Sequence, residues 1–152
     1  MRVQPSTVAE ISAAASFPAL LAEYAAESSI EGMPSPNARM ETYRELEAKG
    51  MLHVISAVND DGELVGFISV LAAPLPHYGM SVAVSESFFV AKAHRGSGAG
   101  IKLLRDAEER ARVIGSPGLL VSAPYAGKLF ELLPRLGYAE TNRIFFKRTV
   151  DA

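Results

Sequence analysis

From residue 52 to residue 71 the chain follows a period of two. Leu52, Val54, Ser56 and Val58 alternate with their neighbours, the turn Asn59-Asp60-Asp61-Gly62 follows, and a second β-branched run extends from Leu64 to Leu71. Two such runs around an Asp-Gly step predict a β-hairpin. Residues 81–91 predict a further strand. After residue 100 the period changes: Ile101, Leu104, Ala107, Ala111 and Ile114 recur at helical spacing, while Lys102, Arg105, Asp106, Glu109 and Arg112 take the other face. Gly115-Ser116-Pro117-Gly118 then breaks the chain, residues 119–123 form a short apolar strand, and residues 128–133 are helical until Pro134. Residues 142–149 alternate again, Ile144 and Phe146 against Phe145 and Lys147, and predict a last strand. Strand, helix and strand in that order imply a crossover connection with the two strands parallel.

The N-terminal third predicts helices. Arg2-Val3-Gln4 reads as a short strand stopped by Pro5. Thr7 and Glu10 have the spacing of a capping box that would start a helix near Val8, but Pro18 interrupts it. We read a short turn ending near Ser16, which caps a main helix over 17–28 with Leu20, Leu21, Tyr24 and Ala25 inward. Residues 29–36 hold Gly32, Pro34 and Pro36 and form a loop. Ser35 then starts a second helix with the stripe Met40, Tyr43 and Leu46, stopped at Gly50. Residues 72–79, with Pro74 and Pro76, read as a second loop carrying His77 and Tyr78. The order of elements is α/β with a mixed sheet.

Composition narrows the function classes. With 152 residues, 49% of them apolar, the chain can bury one good core, and a single domain over 1–152 is expected. The net charge of −2, from 15 basic and 17 acidic residues, favours neither nucleic acid nor an anionic membrane. There are no cysteines, which removes thiol nucleophiles, cysteine-bound zinc and disulfides, and agrees with a reducing, cytoplasmic setting. No basic segment followed by a long apolar run opens the chain, so neither a signal peptide nor a membrane span is expected.

Candidate chemistry concentrates at Arg95-Gly96-Ser97-Gly98-Ala99-Gly100, where the strand pattern gives way to the helix. Glycines there can take positive φ and let the backbone approach a ligand. The first turn of the following helix carries unpartnered N–H groups and the positive end of the helix dipole, which together make an anion site. The spacing rules out other phosphate loops. A Walker A loop would need Gly-Lys-Ser/Thr, but Ile101 follows Gly100 and Leu103 follows Lys102. A dinucleotide fingerprint would need glycine where Ile101 or Leu103 stands, and a nucleophile elbow around Ser97 would need glycine at Arg95.

Arg-x-x-Gly-x-Gly/Ala does fit, with the apolar strand end Phe88-Phe89-Val90 before it and Leu136-Gly137-Tyr138 near the C-terminus. In these features the chain resembles the GNAT N-acetyltransferase superfamily. The resemblance implies a mixed, mostly antiparallel sheet with a central parallel strand pair flanked by helices. It implies acetyl-CoA as co-substrate, its pyrophosphate on the loop formed by Arg95, Gly96, Ser97, Gly98, Ala99, Gly100 and Ile101, and its pantetheine amides on the backbone of Phe89 and Val90. It also implies acetyl transfer to a primary amine of a small molecule or peptide by direct attack, with homodimerisation left open. A non-catalytic acyl-CoA-binding module is the alternative, because family members often carry a general-acid tyrosine where this chain has Leu133. Tyr125 and Tyr138 are substitutes by proximity, Tyr125 being the candidate acid; Ala126 stands nearest the position of a frequent family asparagine.

Amine acylation needs a group to take the amine's proton. Glu86 is that candidate: strict alternation puts it in a row with Val82, Val84, Phe88 and Val90, where burial would disfavour its charged form. The alternatives are a bulge that turns Glu86 to solvent, or an exposed strand edge. His53, His77 and His94 lack metal-ligand spacing, so no metal is expected, and all three read as surface residues.

Overall fold

The structure, a computed structural model, describes residues 1–125 and 127–151. Five strands form one sheet in sequence order: β1 (Arg2–Ser6), β2 (Leu52–Val58), β3 (Leu64–Leu75), β4 (Met80–Val90) and β5 (Leu119–Leu120). The first four pair antiparallel, and β4 and β5 pair parallel. This is the mixed, mostly antiparallel sheet expected. The parallel pair comes last in the strand order among the described residues, because residues 142–149 add no strand.

Both faces of the sheet are covered, and alternation distributes the side chains. On one face Ile55, Ala57, Val65, Ile68, Val70 and Ala83 pack against helix α4 (Ala99–Val113) through Ala99, Leu103, Leu104, Ala107 and Ala111. Leu103, which the spacing left out, is fully buried together with Leu104, whereas Ile101 is half-buried. Truncating a side chain as enclosed as Leu103 to alanine costs about 2–5 kcal/mol. On the other face Leu52, Val54, Leu64, Phe67 and Phe89 meet α1 (Val8–Ala13) and α2 (Phe17–Ser28), with Met40, Tyr43 and Leu46 of α3 (Met40–Ala48) beside them.

Several boundaries differ from the sequence reading, each for a local reason. The capping box does form: Thr7 Oγ1 accepts from Glu10 N–H, Glu10 accepts from Thr7 N–H, and α1 follows at once. Ser16 is the N-cap residue of α2, as expected, and its carbonyl accepts from Leu20 N–H, but its hydroxyl makes no cap bond; it donates to the Leu64 carbonyl and ties α2 to the sheet. Helix α3 starts at Met40 rather than after Ser35, with residue 39 still extended. Strand β1 runs through Pro5, which an edge strand tolerates. Strand β3 likewise continues through Pro74 to Leu75, four residues beyond the last register pair with β2 at Leu52–Leu71, where a missing N–H costs no ladder bond. The connection to β4 therefore shrinks to a tight turn, Pro76–Tyr78, closed by Gly79 at φ 67°. In α5 (Lys128–Arg135) Pro134 falls within the last turn, and the helix ends one residue later.

The final strand is the largest departure. Residues 142–149 are exposed and belong to no strand. Strand β5, the sheet's last strand, is only two residues long, too short to template a partner.

Candidate active site

Two features meet around β4. The first is made of backbone. After Val90 the chain forms a one-turn 3-10 helix (Lys92–His94) and the glycine loop, in which Gly96 and Gly98 take φ of 90° and 84°. A Cβ at either would meet nothing within 4 Å, so the space over the loop is open. Gly98 is the N-cap of α4. The N–H groups of Gly98, Gly100 and Ile101 find no acceptor among the described residues, whereas Ala99 N–H bonds to Ser97 Oγ at 3.3 Å and Lys102 N–H to the Gly98 carbonyl at 3.1 Å. Free N–H groups at the positive end of a 15-residue helix fit a pyrophosphate.

Gly100 departs from the expectation that all three glycines serve positive φ. It lies inside the first helical turn, without the left-handed conformation, and a Cβ there would be in ordinary contact with Phe88 at 3.7 Å and Val90 at 3.9 Å.

The Arg95 side chain is engaged by α2 and β4. Its guanidinium forks onto Glu27 of α2 at 2.6 and 3.2 Å, its Nε donates to the Val90 carbonyl at 2.9 Å, and it lies 5.2 Å from the Phe89 ring centroid. Lys92 Nζ joins Glu27 at 3.3 Å, and Lys92 N–H donates to Glu23 at 2.9 Å. Through these bonds α2 fixes the approach to the loop. The two cations hold the Glu27 carboxyl below its ordinary value, the Arg95 hydrogen bond being the largest cause.

The second feature is made of side chains. Opposite Ser69 and Val70 of β3 stand Ser87 and Ser85 of β4, so Glu86 is an extra residue in a β-bulge. That insertion resets the alternation. Phe88 and Val90 pack on the α4 face, and Glu86 joins Ser87 on the opposite face, so the buried apolar row expected for Glu86 does not exist and its side chain is exposed. Its carboxylate accepts from three hydroxyls: Ser87 Oγ at 2.7 Å, Ser69 Oγ at 2.8 Å and Tyr43 Oη at 2.9 Å. Ser69 is buried and satisfied, since its oxygen also accepts from Ser87 N–H at 3.1 Å. Burial pushes the Tyr43 phenol up to about 12, with the Glu86 charge adding to the effect and the Ser87 hydrogen bond opposing it. Tyr43 therefore keeps its proton and donates a hydrogen bond to Glu86 throughout the neutral range.

This cluster lies at one wall of a pocket of about 640 Å³ between the sheet and α1, α2 and α3. Strands β4 and β5 pair only at Ala83–Leu119 and Val84–Leu120. Beyond them the chains part, with a last link from Ser122 N–H to Ser85 Oγ at 3.4 Å. The edge of β4 that β5 covers at Ala83 and Val84 is thus free of a ladder partner from Ser85 to Val90 among the described residues.

The remaining candidates are scattered. Tyr125 is fully exposed in a turn beyond β5, and Ala126 lies outside the described residues. Tyr138 donates to Glu108 at 2.7 Å, and burial raises its phenol, so it serves the α4–α5 packing. Leu133 is buried in the core. His77 stands edge-on to Tyr78 in the Pro76–Tyr78 turn, and the His94 carbonyl accepts from Ser97. His53 is half-buried rather than a surface residue: its Nε2 is enclosed without a partner among the described residues, and burial lowers its pKa. No cluster of three or more metal-ligating side chains occurs among the described residues, and none of their helices is long and apolar enough to cross a membrane.

Sequence reasoning singled out Glu86 and the loop but not Tyr43, Ser69, Ser87 or Glu27, which the structure brings against them. One signal was present: Ser69 is a hydroxyl inside the otherwise apolar run 64–71.

A short parallel strand pair, whose longer strand runs into a glycine loop at the N-terminus of a helix, is an arrangement that suits a CoA-dependent acyltransferase. The sequence model of the acetyltransferase (GNAT) family matches residues 17–126, and the chain belongs to that family. Members of this family use acetyl-CoA. The fold is similar to that of a ribosomal-protein-alanine N-acetyltransferase from Brucella melitensis biovar Abortus 2308, at 20% identity over 97% of this chain and 98% of the other, with a TM-score of 0.68. It is also similar to an aminoglycoside acetyltransferase from an uncultured soil metagenomic sample, at 22% identity over 99% and 98% of the two chains and a TM-score of 0.73. An aminoglycoside N-acetyltransferase solved in complex with CoA is 16% identical over 99% of this chain and 100% of that one, with a TM-score of 0.72. No curated protein matches the chain.

Proposed function

We propose that the chain transfers the acetyl group of acetyl-CoA to a primary amine by direct attack, with Glu86 receiving the amine's proton. The observation that carries this reading is the placement of the Glu86 carboxylate: on a bulge of β4, at the wall of an acceptor-sized pocket, on the strand whose free edge leads to the phosphate loop. Acetyl-CoA supplies an activated thioester. The free N–H groups of Gly98, Gly100 and Ile101 would hold its pyrophosphate, together with the loop residues Arg95, Gly96, Ser97 and Ala99, and the backbone of Phe89 and Val90 would receive its pantetheine amides.

The chain's own residues divide the remaining work. Glu86 accepts the proton that the amine nitrogen gives up as the new C–N bond forms and the C–S bond breaks. Tyr43, Ser69 and Ser87 fix the plane of its carboxylate. The departing sulfur takes its proton from water or from Tyr125, whose exposed phenol is free of partners among the described residues. The acceptor is a small-molecule or peptide amine. Aminoglycosides and a ribosomal protein's alanine are the acceptors named for the similar structures, and they define two classes to try first. Thiol release from acetyl-CoA against a panel of amines tests the proposal: release that depends on an amine supports it, and CoA binding without release by any amine overturns it.

A further inference from the structure

The pocket beside Glu86 has a composition that selects among amines. We propose that the acceptor is a primary monoamine on an apolar, aromatic or branched body, its single nitrogen held at Glu86. This rests on the acetyl-transfer reading above.

Among the described residues lining the pocket, Glu86 is the only charged one. The walls are apolar: Phe17 and Leu21 from α2, Met40 from α3, Val54 and Phe67 from the sheet. Tyr24 stacks on Phe67 at 5.8 Å and 12° and meets Phe89 edge-on at 5.1 Å, so one side of the pocket is a braced aromatic surface. The hydroxyls of Tyr43, Ser69 and Ser87 already donate to Glu86. The two acids at the end of α2, Glu23 and Glu27, are not in the lining; they are committed to Lys92 and Arg95 on the loop side. A second ammonium group placed in this pocket would lose water and gain no carboxylate, and besides Glu86 and its three partners the lining offers a polyhydroxylated body only the Tyr24 hydroxyl, Ser28 and Asn37. An apolar body would instead displace water from apolar walls. At about 640 Å³ the space admits a phenyl or branched alkyl group with room to spare.

The test compares phenethylamine and isopentylamine with ethanolamine, cadaverine and spermidine, by thiol release at saturating acetyl-CoA and, separately, by calorimetric titration of each amine into the protein with CoA. The expected result is a kcat/KM, and a binding constant, roughly tenfold or more in favour of the two apolar monoamines. Ala25→Glu, on the pocket wall contributed by α2, should then move the cadaverine-to-isopentylamine ratio toward the diamine by about tenfold, because it supplies the missing second carboxylate. Preference for spermidine or ethanolamine, or an unchanged ratio in folded Ala25→Glu protein, overturns the inference. If no amine releases thiol, the acetyl-transfer reading falls, and the titrations still decide which amines the pocket selects.

Discussion

The glycine loop and the Glu86 cluster stand at opposite ends of the same half-strand, and they are built by opposite means. The loop presents main-chain N–H groups without partners among the described residues, and its residues are adjacent in sequence, so glycine identity and spacing are nearly its whole design. The cluster works with side chains drawn from α3, β3 and β4, separated by up to 44 residues, and it exists only because the β3–β4 register places them together. A backbone site tolerates side-chain change and fails when the chain path changes. A side-chain site tolerates path changes elsewhere and fails atom by atom. Substitutions at the two should therefore separate cofactor affinity from turnover.

Glu86→Gln should give the largest effect. The amide keeps size and accepts hydrogen bonds but cannot take a proton, so turnover should drop by about a hundredfold to ten-thousandfold. CoA affinity, measured by calorimetry, should be unchanged. Near-normal turnover with the same pH dependence would make Glu86 structural and remove the base from the mechanism.

At the other end, Gly98→Val should lower CoA affinity by roughly tenfold to a hundredfold, because a branched residue resists φ of 84° and fills the open space above the loop. Gly100→Val should be milder, since its backbone is helical and its Cβ would make ordinary contacts with Phe88 and Val90. Melting curves check that both fold. Equal losses at the two positions would mean that blocked space, and not the left-handed backbone, decides.

The difference between the two sites also explains what could be read in advance. The loop was legible because its glycines and the amphipathic helix that follows are adjacent in sequence, so an open backbone at a helix N-terminus can be placed without any tertiary information. Glu86 was legible as a carboxylate out of place, but the reason was not: alternation counts two residues per repeat, and one inserted residue at the bulge reverses which neighbours share its face. Tyr43 read as part of an apolar stripe because α3 packs on the sheet with that stripe; only the tertiary position brings its hydroxyl to Glu86. Pro74 read as a breaker because sequence does not show that β3 outruns β2 there. The run 142–149 has the alternation of a strand, yet a strand also needs a partner edge, and β5 offers two residues. Arg95 was legible as part of the loop, but not the bond of its side chain to Glu27, 68 residues earlier.

Tyr43→Phe should lower kcat/KM by about tenfold, the worth of one hydrogen bond to a charged acceptor. The carboxylate keeps its two serine partners, so the loss is partial. CoA affinity should not change. A variant that loses CoA binding instead would show that α3 supports the loop as well as the pocket.

The smallest effect should come from Glu27, the side chain that joins the two regions. Its carboxylate holds Arg95 and Lys92 at the base of the loop, while the helix that carries it lines the pocket through Leu21, Ala22 and Ala25. Because its pKa is depressed below the ordinary 4.5 in the folded state, the pair contributes its full stability above that value and loses it as the pH falls through the lower, folded value. The group is exposed, so water and salt screen the interaction, and exposed pairs are worth about 1 kcal/mol or less. Glu27→Gln should lower the melting temperature by a few degrees at neutral pH and low salt. The gap from the parent protein should shrink both on adding salt and on acidification below pH 4.5. In the same variant CoA affinity and turnover should fall together by a few-fold, since both regions lean on α2. A change in only one of the two would show that the loop and the pocket are set independently, and that the Arg95–Glu27 pair stabilises the fold without linking them.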